Sequence, residues 1–301
     1  MNITDTIIRH YRELQPRPLP SFDRQGSNTI TNHWTGLGDT VMLTSLPLSS
    51  MGEVFVTTNS SYADALSQHA VVWTGPMKGN PVNVDYVRQC FQIGNGHLLQ
   101  RLERVFDLCP FPRPEGCLGP KIIPFENRVI LHFEPGGFVE WQRQHLHPDA
   151  RRLLPVSKLI LETFIEDHPE LDFINIACNP EEIRGARHIV TPGTYELIET
   201  IGSARWFIGI LSGPLHVATA LGLNCITLMD YPAAQHIILP TLVDAGVYEM
   251  EWLYPQNMHL HQTSDGPLCR RLSLVTMEQA FNGEIYPFGS PEWLPLIFDK
   301  P

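Results

Sequence analysis

Short apolar runs rich in β-branched residues alternate with segments of helical period along most of this chain. Thr29 to Trp34, Glu53 to Thr58 and Val71 to Thr74 read as strands, and helices are expected beside Asp39 and over Tyr62 to His69, with Val82 to Gln89 a further element. A loop at Gly94 to His97 leads into an expected helix over Leu98 to Phe106. The alternation resumes with a strand at Val129, a helix over Val156 to Asp167, a strand over Phe173 to Cys178 and a helix over Thr194 to Ile201. Ile208 to Met229 then reads as strand, tight turn, helix and buried strand. Further on, Met250 to Tyr254 or Met258 to His261 is expected to be extended, and Thr276 to Asn282 helical. Strands alternating with helices are the pattern of parallel α/β sheets. Ahead of them, Ile7, Ile8, Tyr11 and Leu14 have the spacing of an amphipathic helix packed on the body.

At 301 residues the chain exceeds one typical domain. Two α/β units are expected, residues 1–120 and 121–301, joined through the run Cys109 to Pro120, whose four prolines oppose regular structure. The acidic, Pro-rich tail around Pro291 to Phe298 would cross back to the first unit. A net charge of −11 opposes general nucleic-acid binding, which needs a basic face. No apolar run reaches membrane-span length and no signal core opens the chain, so a cytoplasmic protein with at most peripheral membrane association is expected. The six cysteines form no CxxC pair, so reduced thiols are expected, with Cys109 and Cys117 the alternative as a surface pair. His145, His147, His259 and His261 have no carboxylate or Cys at ligand spacing and are expected at the surface, with no metal site.

Two glycine motifs carry the candidate chemistry. In Ile208-Gly-Ile-Leu-Ser-Gly-Pro-Leu-His216 a helix starting at about Pro214 would point backbone N–H groups and its positive dipole end at the Ser212-Gly213 turn. Ser212 and His216 would add side-chain donors, and Gly213 would let a phosphate approach the backbone. An ordinary strand-to-helix turn is the alternative. In Thr35-Gly-Leu-Gly-Asp-Thr40 the glycines Gly36 and Gly38 and the carboxylate of Asp39 stand at the mouth of an apolar helix, beside Thr40. Asp39 would equally serve there as a helix N-cap.

Together these motifs resemble the family 9 glycosyltransferases, which include the lipopolysaccharide heptosyltransferases. Val129-Ile-Leu-His-Phe-Glu-Pro-Gly-Gly137 followed by Trp141 looks like the strand and Pro-Gly loop that open that family's second domain. Thr191 to Ile201 looks like the helix before its nucleotide-side motif. The resemblance implies a GT-B architecture, two Rossmann-like doubly wound domains facing each other across a cleft. It also implies a nucleotide diphosphate-sugar, with an ADP-sugar favoured, as substrate and no separate cofactor. Gly136, Gly137, Arg143, Ser212, Gly213, Pro214 and His216 would lie on the donor side, and Gly36, Gly38 and Thr40 on the acceptor side. Leu211 stands where many members carry Asp, and the Lys common after the Pro-Gly loop is absent, Arg143 being the nearest cation.

The activity so implied is metal-independent, inverting transfer of a heptose or related sugar to a hydroxyl of a glycan or lipid-linked acceptor. Asp39 would be the general base, and helix N–H groups with an Arg would stabilise the leaving diphosphate. Among the cations, Arg143, Lys158, Arg184 and Arg187 are the candidates, whereas Arg151 and Arg152 read as a solvated helix face. Tyr231 and Pro232 would line the pocket or merely close a turn. Two other readings stand beside transfer: a binding module that keeps the phosphate turn, and an epimerase using Glu134 and Asp230.

Overall fold

A computed structural model describes residues 26–32, 36–46, 55–58, 62, 79–80, 82–83, 99, 103, 116, 118, 123–134, 152–178, 181–191, 193–229, 254, 256–263 and 270–284. Among the described residues the strands form two parallel sheets. In the smaller, β1 (Thr29–Asn32) lies between β2 (Phe55–Thr58) and β3 (Val82–Asn83). The larger comprises β4 (Phe125–His132), β5 (Asp172–Ile176), β6 (Arg187–Ile189), β7 (Ala204–Gly209), β8 (Asn224–Met229), β9 (Met258–His261) and β10 (Arg270–Arg271). Its order is β10-β9-β8-β7-β4-β5-β6. The chain enters at β4, builds outward to β6, then returns to β7 and builds the other way. β4 and β7 are therefore neighbours at the point where a doubly wound sheet reverses direction, the place where such sheets hold ligands.

Both faces of this sheet are covered, which is why its central strands are continuous apolar runs. Val129, Leu131, Ile208, Ile226 and Leu228 share a core with Leu161 and Phe164 of α2 (Pro155–Asp167) and Met277 of α5 (Leu274–Phe281). On the opposite face Ile130, Ile174, Phe207 and Cys225 pack with α3 (Thr194–Gly202) and α4 (Gly213–Ala220). Each such side chain, fully buried, contributes about 1.5–3 kcal/mol relative to exposure. Leu37 and Val41 of α1 (Leu37–Met42), the helix that follows β1, belong to this second core. So does Leu118, from the run expected to be a linker. Gly116 is buried there too, and a Cβ on it would strike the Val41 carbonyl and crowd Ala220. That part of the Pro-rich run is packed between α1 and α4.

At the N-terminal edge of the sheet, Arg187 grips Asp172 through two bonds from Nη2 (2.7 and 2.8 Å), and Arg128 Nε holds the same carboxylate at 3.0 Å. Arg128 also donates to Ser203 Oγ, tying the start of β7 to β4 and β5. Arg184 pairs with Glu166 and Lys158 with Glu181. These three candidate cations are engaged in pairs of this kind, and Arg187 lies at the edge opposite the strand ends that hold ligands.

The expected strands and helices of the second half are present to within a few residues, including β9. Helix α5 begins earlier than expected because Ser273 caps it: its Oγ accepts the Thr276 N–H (3.1 Å) and Thr276 Oγ1 accepts the Ser273 N–H (2.8 Å). The short, charged β6 and β10 were not expected. One expectation is corrected: His259 and His261 are buried, not at the surface. They sit on β9 between β8 and β10, where His259 Nε2 donates to the Tyr254 carbonyl (2.9 Å) and His261 Nδ1 accepts the Thr263 N–H (3.2 Å). The helix expected over residues 1–20, the segments around His145 and Trp141, the Tyr231 turn and the tail lie outside the described residues.

Candidate functional site

The two glycine motifs meet. Leu37, the first residue of α1, packs so closely on Gly213, the first of α4, that a Cβ on Gly213 would stand 3.0 Å from the Leu37 Cβ. One residue on, Gly38 lies under the His216 ring, and any side chain at position 38 would overlap it. Further along, α1 and α4 both reach Gly116. The two helices thus start together and run side by side, with their positive ends adjacent.

In α1 the N-cap is Gly36, not Asp39. Asp39 is the third helical residue, and its Oδ2 folds back over Gly36, 2.5 Å from where a Cβ would stand, so a side chain there would displace the carboxylate. Its carboxylate is half-buried in the first turn, where negative charge is favoured. The Thr40 hydroxyl donates to the Gly36 carbonyl (3.0 Å). A short helix mouth is thus formed with one carboxylate at its rim.

In α4 the N-cap position is Ser212, with extended backbone, and its side chain makes no capping bond. Pro214 has no N–H, and the Leu215 N–H turns back to the Ser212 carbonyl (3.1 Å). The donors left at this mouth are the backbone N–H groups of Ser212 and Gly213. Gly213 and Pro214 are partly exposed, whereas Ser212 and His216 are buried. The Ser212 Oγ lies 3.1 Å from Nδ1 of His132, the last residue of β4. That bond spans the β4/β7 reversal point. It is made possible by Gly209, paired with His132 in register, where a Cβ would strike the His132 carbonyl. Burial pushes His132 down to about 4, a hydrogen bond to its own backbone offsetting this only in part, so the ring is neutral near pH 7.

His216 Nδ1 bonds the hydroxyl of Tyr254 at 2.6 Å, the rings meeting edge to face. Tyr254 is fully buried. Leu211 is buried in the core beneath α3 and α4. Glu134 accepts the Cys178 N–H (2.6 Å), linking the ends of β4 and β5. The structure thus gathers Gly36, Gly38, Asp39, Thr40, Ser212, Gly213, Pro214 and His216, while Gly136, Gly137 and Arg143 lie outside the described residues. His132 and Tyr254 were missed from sequence. His132 had a signal, a polar residue closing the apolar run Val129 to Phe133. Tyr254 had none.

The sequence matches no family model and no curated protein. Solved structures do match. The E. coli heptosyltransferase WaaC with ADP superposes with a TM-score of 0.54 at 11% identity, over 85% of this chain and 99% of that one. The fold is that of the family 9 glycosyltransferases. A glycosyl transferase family 9 protein from Veillonella parvula gives a TM-score of 0.50 at 9% identity, covering 86% of this chain and 97% of its own. E. coli ADP-heptose lps heptosyltransferase II gives 0.50 at 9% identity over 85% and 98%. The seven-stranded sheet is the GT-B α/β arrangement, and its reversal point carries the His132–Ser212 bond.

Proposed function

We propose that the chain is a glycosyltransferase that moves a sugar from a nucleotide diphosphate-sugar to a hydroxyl of a glycan or lipid-linked acceptor. The meeting of the two helix mouths, with Asp39 on one and the Ser212 and Gly213 N–H groups on the other, carries this reading. Two adjacent positive helix ends favour an anion before them. The diphosphate of the donor would take the α4 side, with His216 beside it and Gly136, Gly137 and Arg143 assigned to the same side. Asp39 would take the proton of the acceptor hydroxyl as it attacks the anomeric carbon. The pyrophosphate bears the departing charge against fixed backbone donors, so no metal is needed in this scheme. The likeness to one heptosyltransferase solved with ADP and to an ADP-heptose heptosyltransferase favours an ADP-sugar and a heptose-like group.

The test follows release of nucleoside diphosphate from ADP-sugars offered with glycan acceptors, for the wild type and Asp39→Asn. The variant is expected to bind ADP within a few-fold of wild type and to lose release by about 100-fold or more. Release at the wild-type rate would remove Asp39 from the chemistry. Leu211 favours one second reading, a nucleotide-binding module without transfer, because an apolar side chain sunk in the core offers a donor sugar no hydrogen bond. Tight ADP binding with no release for any sugar or acceptor would decide for it.

A further inference from the structure

Among the described residues, Ser212 behaves unlike Ser273, the other serine at a helix N-cap. Ser273 has almost the same backbone (φ −149°, ψ 168°, against −155° and 169°) and caps its own helix through its hydroxyl. Ser212 shares that backbone but makes no such bond: Pro214 has no N–H to offer, and the Leu215 N–H is turned to the Ser212 carbonyl, so the Ser212 hydroxyl is free to look elsewhere. Such a cap is worth about 1 kcal/mol. Its hydroxyl is instead drawn to His132. We propose that His132 is a positioning residue: its Nδ1–H donates to Ser212 Oγ, holding the hydroxyl off the helix mouth so that the Ser212 O–H and the two backbone N–H groups all face a bound phosphate.

The hydrogen inventory leaves little choice. A serine hydroxyl has one proton. If Ser212 gives it to His132, none remains for a ligand; if His132 is the donor, the serine proton is free. The ring can play donor because a neutral imidazole carries one N–H, which the Nδ1 tautomer places toward Ser212 where Gly209 lets β7 approach. The inference rests on the donor site proposed above, since it assigns His132 a part in binding the same diphosphate.

A double-mutant cycle on ADP affinity, read by calorimetry, tests it with His132→Phe, Ser212→Ala and the pair. Each single change is expected to weaken ADP by about tenfold, the worth of one hydrogen bond to a charged group, and the pair no further. His132→Asn, whose amide still has a donor for Ser212, is expected to recover most of the affinity. In the ADP complex of the wild type, the ¹⁵N spectrum is expected to show His132 protonated at Nδ1. Additive losses in the cycle, full affinity in His132→Phe, or a ring protonated only at Nε2 would each overturn the proposal. Wild-type protein that binds none of ADP, UDP or GDP would instead remove the donor site itself, and the role of His132 with it.

Discussion

The imidazole of His216 rests on Gly38, so each of the two glycine motifs shapes the other. A methyl group at position 38 has no room, and the ring cannot retreat freely because its Nδ1 is bonded to the buried Tyr254 hydroxyl at 2.6 Å. Gly38→Ala is therefore expected to destabilise the protein by about 1–3 kcal/mol through overpacking. In a His216→Ala background the same change is expected to cost far less, because its collision partner is gone. Urea denaturation of the four proteins measures both, and equal cost in the two backgrounds would contradict the contact.

Tyr254→Phe removes one hydroxyl and keeps the ring. It leaves His216 Nδ1 without this bond in a buried place, for a loss of about 1–3 kcal/mol. Thermal unfolding checks it. A melting temperature equal to wild type would mean that the bond contributes nothing.

Acid is expected to unfold this protein through its buried histidines. Burial lowers His132, His259 and His261 to about 4 from the ordinary 6.5, with backbone hydrogen bonds offsetting it in part for the first two. The unfolded chain therefore takes up protons near pH 6.5, which the folded protein refuses until about 4. Stability falls as pH drops through that window, by on the order of 1 kcal/mol per pH unit for each ring. Urea unfolding at pH 7 and pH 5 should show a large loss, and equal stability at the two pH values would place these rings in contact with water.

His168 works in the opposite direction. Partial burial opposes its charge, but hydrogen bonds to Glu170 and Glu278 outweigh this and raise it above 6.5. Its stabilising contribution is full below pH 6.5 and is lost as pH rises through the raised value. His168→Gln is expected to lose about 1 kcal/mol at pH 6 and little at pH 9, measured by paired denaturation curves. A gap that grows with pH would contradict the assignment.

The central strands were legible because both faces of the sheet are covered, so Val129 to Leu131 and Phe173 to Ile176 are apolar at every or nearly every position. β6 and β10 escaped notice because three and two residues led by arginine carry no such pattern. Met258-His-Leu-His261 reads as a strand with one wet face, and only the neighbouring strands and the Tyr254 carbonyl, which accepts from His259, bury both rings. Each glycine motif was visible alone. That Gly38 and His216 touch depends on how the two sheets come together, which local pattern does not encode. Asp39 as the third residue of its helix, with Gly36 as cap, was likewise a matter of where the first turn closes.

The most direct test is a thermal-shift panel of ADP, UDP, GDP, CMP and their sugar conjugates against the wild type and Ser212→Asp, whose carboxylate would repel a phosphate from the α4 mouth. The proposed donor site predicts a rise of several degrees for one diphosphate at saturating ligand, since binding at about 100 times Kd adds about 2.7 kcal/mol. That rise should vanish in Ser212→Asp while the unliganded variant remains folded, Asp being a favoured residue at a helix N-cap. A shift of equal size in both proteins would place the nucleotide elsewhere, and no shift for any nucleotide would contradict the transferase reading.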